Sequence, residues 1–368
     1  MKLKKRFSNI ALTLAISSIL TVQQISAIRI VSASTDDTVK VWDLAKQPDQ
    51  PGYCRVLIGH KCWATSAAFS PTNQNKIVSA SFLGTVKVWD LTQPEGQECI
   101  KTLTGHIGHV TSAAFCPTNQ NIIASASRDK TVKVWGLTQP EGQECIRTLT
   151  GHEEYATSAA FCPTNGNIIA SASWDKTVKV WDLTKPEGQE CIRTLKGHDK
   201  GVRSAAFCPT NENIIGSASW DGTVKVWDLT QTEGQECIKT LKDHDGYVAS
   251  VAFCPTNENI IGSASGDCTV RVWDLTKQTG QPGYCTILTD HTDPKTSQAT
   301  SHNRPVLYAE FASAPQQSKL EREDQDRRQE MALTGEARMG QQILSENVVI
   351  RPTYGTAIGT YGSLLVNL

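Results

Sequence analysis

Between residues 28 and 315 short apolar runs of five or six residues alternate with polar punctuation, and the same order of runs keeps returning. In the fourth unit Ala156–Phe161 leads to Cys162-Pro163-Thr164-Asn165, then Ile168–Ser173, then Trp174-Asp175-Lys176 and residues 177–182. A connector over residues 183–190 and the run Cys191–Leu195 complete it. Val178 and Val180 alternate with Thr177, Lys179 and Trp181, which is the period of two expected for a strand. Each unit therefore predicts four strands joined by turns, with no helical period inside it. Trp42, Trp89, Trp135, Trp181, Trp227 and Trp273 mark the units, the first interval being 47 residues and the next four 46. A fixed period of this size predicts a solenoid, propeller or array, not the two or three domains that 368 residues would otherwise suggest.

Gly151-His152, then Ser171-Ala172-Ser173-Trp174-Asp175, then Val178-Lys179-Val180-Trp181-Asp182 recur through five successive units. This pattern resembles the WD-repeat family of β-propellers over about residues 28–315. The resemblance implies one four-stranded blade per repeat and, in each blade, a buried hydrogen-bonded set of histidine, strand serine, turn aspartate and tryptophan. Carried onto this chain, the sets are His106/Asp129/Trp135, His152/Asp175/Trp181, His198/Asp221/Trp227 and His244/Asp267/Trp273. A buried imidazole and indole need such partners. Blade two departs, because Leu83 stands where the aspartate belongs and leaves His60 without its orienter. Blade three carries Gly136 for the terminal aspartate.

Counting strands gives 23 up to Leu288, one short of six full blades. Val306-Leu307-Tyr308-Ala309-Glu310-Phe311 matches Val110-Thr111-Ser112-Ala113-Ala114-Phe115 at Val, Ala and Phe, and His302 precedes it as His106 precedes Val110. The expectation is an all-β, six-bladed β-propeller of four-stranded antiparallel blades, closed by a C-terminal strand joining the N-terminal blade. Closure removes exposed sheet edges. The insertion 292–301 leaves His291 and His302 competing for one role. Residues 316–368 read as a non-repeat tail of unknown structure, with no pattern for the four strands that a seventh blade would need: 319–330 is a mixed-charge run, and glycine-rich 355–362 lacks the context of a phosphate loop.

Residues 1–27 stand apart. Lys2, Lys4, Lys5 and Arg6 precede an apolar run over 10–22 and the small-residue end Ser26-Ala27, the order of a secretory signal peptide. The run is too short for a comfortable transmembrane helix. Export is favoured over a cytoplasmic chain with a basic leader, although a cut after Ala27 would begin the mature chain inside a repeat. With the leader removed, no integral membrane segment is expected.

Composition narrows the function. With 36 basic and 37 acidic side chains the formal charge is −1, so long-range attraction to nucleic acid or an anionic membrane is not expected. Ten of the twelve cysteines are periodic: Cys54, Cys99, Cys145, Cys191, Cys237 and Cys285 open outer strands, whereas Cys116, Cys162, Cys208 and Cys254 follow the inner-strand phenylalanine. The two positions of one blade lie roughly 14 Å apart, beyond disulfide reach, so small buried thiols are expected. Such thiols suit a reducing compartment better and pull against export. Cys62 and Cys268 fall outside the pattern as candidate reactive thiols.

Catalytic patterns are missing. Seven of the eight histidines fill or compete for the Gly-His slot, His109 is alone, and His152-Glu153-Glu154 lacks the second histidine of a zinc pair. Gly262-Ser263-Ala264-Ser265-Gly266 has alanine at the nucleophile position. No enzyme, metal or cofactor is expected. The near-identical units differ in two windows: the residues after each Gly-His, and the residue before the turn aspartate. The propeller resemblance places both on one face. They hold Trp63, Phe82, Arg128, Glu153, Tyr155, Trp174, Asp199, Trp220 and Tyr247, with Glu154 and Lys200 beside them. Exposed Trp, Tyr and Arg are the residues that anchor interfaces. The expected function is a non-catalytic, monomeric scaffold that binds protein or peptide partners on this face. The alternative is an extracytoplasmic carbohydrate-binding propeller using the same aromatics; a hydrolytic propeller would have only Glu153/Glu154 as an acid pair.

Overall fold

The computed structural model describes residues 29–288 throughout, and beyond them the strands at 306–311, 347–352 and 364–367. The leader 1–27, His291 and His302 lie outside the described residues. Blade one consists of β1 (Arg29–Ala33), β2 (Thr38–Asp43) and β3 (Cys54–Ile58). Blade two comprises β4 (Ala64–Phe69), β5 (Lys76–Ser81), β6 (Val86–Asp90) and β7 (Cys99–Leu103). Blade three runs through β8 (Val110–Phe115), β9 (Ile122–Ser127), β10 (Val132–Gly136) and β11 (Cys145–Leu149). In blade four the strands are β12 (Ala156–Phe161), β13 (Ile168–Ser173), β14 (Val178–Asp182) and β15 (Cys191–Leu195). Blade five has β16 (Val202–Phe207), β17 (Ile214–Ser219), β18 (Val224–Asp228) and β19 (Cys237–Leu241). Blade six ends the repeat with β20 (Val248–Phe253), β21 (Ile260–Ser265), β22 (Val270–Asp274) and β23 (Cys285–Leu288). Each blade is an antiparallel meander in chain order, three-stranded in blade one and four-stranded in the other five.

The core lies between blades, where the face of one sheet meets the next. Ala124, Val132, Val134 and Leu149 of blade three pack on Ala156, Ala159, Phe161, Ile169 and Trp181 of blade four. The same set recurs between blades four and five. Period-two strands buried on both faces need small residues, and the inner strands of blades two to five supply them as Ala-Ala pairs, with Val251-Ala252 in blade six. Hydroxyls tie successive inner strands: Thr65, Thr111 and Thr157 donate to the carbonyls of Val110, Ala156 and Val202. The amides of Ala113, Ala159 and Ala205 donate to Ser66, Ser112 and Ser158.

The six repeat blades follow the expected order, but the expected closure is not seen. The strand matching an inner strand, β24 (Val306–Phe311), stands beside β20 and β21, where the inner strand of a next blade belongs. Its hydrogen-bonded partner, however, is β25 (Asn347–Pro352) and not β1. β25 pairs in turn with β26 (Leu364–Asn367), making a separate three-stranded sheet. The β24–β25 register, with a shift after Val306, repeats that of Ala156–Phe161 on β13. A continuing meander satisfies the β24 edge locally, and the tail therefore contributes strands that the sequence pattern does not announce.

The cysteine expectation needs correcting at the rim. Cys116, Cys162, Cys208 and Cys254 are buried, but Cys145 and Cys191 are exposed and Cys54, Cys99, Cys237 and Cys285 half-buried. The outer strand is the free edge of each blade, so its first residue faces solvent. All twelve thiols are free.

Candidate functional site

Each blade carries a polar chain that fixes its loops. In blade four Trp181 Nε1 donates to Ser171 Oγ at 2.7 Å, and Ser171 Oγ lies 2.7 Å from His152 Nε2. His152 Nδ1 is 2.7 Å from Asp175 Oδ2. The links run from indole to serine, from serine to imidazole Nε2, and from imidazole Nδ1 to the carboxylate, which can only accept when ionised. The histidine–aspartate distance is 2.7 Å also in His106/Asp129, His198/Asp221 and His244/Asp267. Burial pushes the aspartate carboxyls up, yet the histidine and threonine hydrogen bonds outweigh it. Asp129, Asp175 and Asp221 are held well below the usual carboxylate range and Asp267 is lowered to about 2.

The same carboxylates clamp the variable windows. Backbone amides of Ile107, Glu153, Asp199 and Asp245 donate to Asp129, Asp175, Asp221 and Asp267. A second bond then joins the two windows of a blade. Phe82, Arg128, Trp174, Trp220 and Gly266 donate their amides to the carbonyls of Trp63, His109, Tyr155, Gly201 and Tyr247. The windows thus share one end of the blades. At the other end, Leu91, Leu137, Leu183, Leu229 and Leu275 of the connectors donate to Asn75, Asn121, Asn167, Asn213 and Asn259 of the constant turns.

On the variable face the planar side chains follow a rule: the residue before the turn aspartate lies on the window of the next blade. Phe82 stacks on His109 with ring centroids 3.4 Å apart, and Trp63 meets Phe82 at 5.2 Å. The Arg128 guanidinium sits 5.6 Å from the Tyr155 ring centre. Trp220 stacks on Tyr247 at 4.3 Å and meets Trp174 at 5.4 Å. Trp174 covers Gly201, where an added Cβ would come within 2.8 Å of the indole, and Tyr247 covers Gly266 at 2.4 Å. Gly201 therefore makes room for the ring of the preceding blade, and Gly266 for the tyrosine of its own. The result is an arc of rings from Trp63 to Tyr247 across blades two to six.

Much of this arc faces solvent. Trp63 is 46% exposed and Tyr155 and Trp174 are each 41% exposed, whereas Phe82, Trp220 and Tyr247 are half-buried supports. Arg128, Glu153 and Asp199 are exposed between the rings. Lys130 Nζ reaches the Glu153 carbonyl at 2.6 Å and the Glu154 carboxylate at 3.6 Å, an exposed pair worth little. Sequence reasoning missed three contributors. Ile107 is 95% exposed and Leu83 is 58% exposed on this face, and His109 is the lower ring under Phe82. The signal for Ile107 is an apolar residue in a slot that holds Lys61, Glu153, Asp199 and Asp245 in other blades.

Other chemistry is sparse. Among the described residues no three His, Cys, Asp or Glu side chains gather as a metal site, and no helix is long and apolar enough to cross a membrane. Burial pushes the Cys268 thiol up, against a reactive role. A profile described as WD domain, G-beta repeat matches the chain at residues 17–43, 52–90, 97–136, 143–182, 189–228 and 235–274. A search of curated proteins returns no match.

Proposed function

The chain belongs to the WD-repeat family, whose propellers typically serve as protein-interaction scaffolds, and from that premise we propose that it holds protein or peptide partners on its variable face and catalyses nothing. One observation carries the reading: the arc of ring contacts, within and between blades, that leaves Trp63, Tyr155 and Trp174 half-exposed. Burying a large side chain is worth roughly 1.5–3 kcal/mol, so exposed rings held rigidly by their neighbours are favourable anchors with little ordering left to lose on binding. Leu83 and Ile107 extend the apolar area on blades two and three. Glu153, Asp199 and Arg128 supply charges of both signs, which select a partner by complementarity more than they add affinity.

The test is capture from source cells with three baits: the intact chain, a Trp63→Ala/Trp174→Ala/Trp220→Ala variant and a Glu187→Lys/Glu233→Lys variant altered on the connectors of the other end. The ring variant is expected to weaken the specifically captured partner about 30-fold or more, a single hot-spot residue at about 2 kcal/mol being sufficient. The connector variant is expected to retain it. Equal retention by all three baits, with unchanged circular dichroism, would move the site away from the rings.

A further inference from the structure

At the connector end of the blades, each outer strand carries a basic residue at one register position. Arg55, Lys101, Arg147, Arg193 and Lys239 stand opposite Val41, Val88, Val134, Val180 and Val226. Between blades one and two the Arg55 guanidinium donates to Glu98 Oε1 and to the carbonyls of Leu91 and Gln93. Between blades two and three Lys101 Nζ reaches the carbonyls of Leu137 and Gln139 at 2.9 and 3.0 Å and Glu144 Oε1 at 3.4 Å. One carboxylate and two connector carbonyls thus form a seat for a cation, and at these boundaries the chain fills it.

The next two boundaries keep the carboxylate and turn the cation away. Arg147 and Arg193 are exposed, and each donates Nη1 to the carbonyl of the isoleucine before it at 3.0 Å. Glu190 and Glu236 are nevertheless only 3% exposed. Oε2 of each accepts the amide of Gly188 or Gly234, whereas Oε1 is buried without a hydrogen-bond partner. Such an oxygen is costly until a donor reaches it. Both boundaries make the same contacts, so the arrangement belongs to the repeat and not to one stray side chain. Between blades four and five a cavity of about 310 Å³ opens against Ile192, Arg193, Glu212 and Leu229. That is the size of a small ligand pocket.

We propose that the boundary between blades four and five is a seat for an arginine side chain of a basic peptide. Glu236 Oε1 and the carbonyls of Leu229 and Gln231 receive its guanidinium as Glu98, Leu91 and Gln93 receive that of Arg55. Glu190 offers the same acceptor between blades three and four. The planar fork of a guanidinium matches convergent acceptors of this kind, and charge-assisted bonds to a carboxylate are the strong ones. Arg193 lines the cavity with its guanidinium on its own strand, so it opposes an incoming cation. The seat lies on the connectors, apart from the rings, and stands or falls independently of binding on the variable face.

Labelled hexa-arginine and its neutral isostere hexacitrulline, added to the purified full chain at physiological ionic strength, test this by fluorescence anisotropy and by hydrogen exchange. Hexa-arginine is expected to bind and to slow exchange at 229–236 and 183–190, while 91–98 and 137–144, whose seats the chain fills itself, stay unchanged. Hexacitrulline is expected to do neither. Glu236→Gln is expected to weaken hexa-arginine about tenfold, as the loss of a charge-assisted hydrogen bond would, and Arg193→Leu to bind it at least as tightly as the parent chain. Absence of binding, equal binding by Glu236→Gln, or slowing spread evenly over all four connectors overturns the proposal. Binding that appears only in Arg193→Leu assigns the seat to Arg193 itself and also overturns it. The exchange pattern of the intact chain decides even where Glu236→Gln fails to fold.

Discussion

Leu83 and Asp129 occupy the same turn position in successive blades, and the difference isolates what the buried aspartate does. His60 Nε2 keeps its serine at 2.6 Å, but its Nδ1 is buried without a hydrogen-bond partner. Burial first, and Lys87 second, lower the imidazole to about 4 from an ordinary 6.5. A group whose folded value is depressed contributes stability that is full above the unfolded value and lost as pH falls through the folded one. For His60 that window is pH 6.5 to 4, and the shift corresponds to roughly 3 kcal/mol. Leu83→Asp is expected to supply the missing acceptor at little cost in burial, since Leu83 is mostly exposed. Melting temperatures followed from pH 7 to pH 4 should then fall less steeply than in the parent chain. An unchanged slope would count against the assignment. The aspartates act lower on the scale: Asp267, at about 2 when folded and 3.8 when not, gives stability present above pH 4 and lost towards pH 2.

At the scale of elements, the inner strands are held by hydroxyls as well as by packing. Thr157 is buried and donates to the Val202 carbonyl of blade five at 2.7 Å. Thr157→Val keeps the shape and removes the donor, so it is expected to cost about 1–2 kcal/mol. A urea titration should show a lower midpoint with unchanged slope, and an unchanged midpoint would show that the hydroxyl bond is not stabilising. Strands of the five full blades were legible in the sequence because their signals are local: period-two valines, Pro-Thr-Asn turns and a tryptophan every 46 residues. The strands β25 and β26 were not. Their apolar runs carry no Gly-His, no tryptophan and no turn residues at the repeat spacing, and β24 is joined to β25 across a long separation. The pairing of β24 misled for a related reason: its Val, Ala and Phe identify an inner strand but not which second strand it joins.

Across the whole molecule, the repeat makes a constant scaffold and confines difference to one end of it. Single residues of the arc could be named from the sequence because they break the repetition. Their order could not, because Phe82 on His109 and Trp220 on Tyr247 are contacts between blades. Gly201 shows how closely the neighbours are matched. Gly201→Ala removes no ring but drives a Cβ into Trp174, so partner binding is expected to weaken about tenfold while the fold persists. Titration calorimetry against the captured partner checks it, and full affinity would mean that the position of Trp174 is unimportant. The most direct measurement of the central claim is a hydrogen-exchange footprint of that partner on the intact chain. Protection is expected at 61–64, 82–83, 107–110, 153–156, 174 and 220, with the connectors at 91–98 and 183–190 unchanged. Protection confined to the connectors, with the ring-bearing windows exchanging as before, would contradict it.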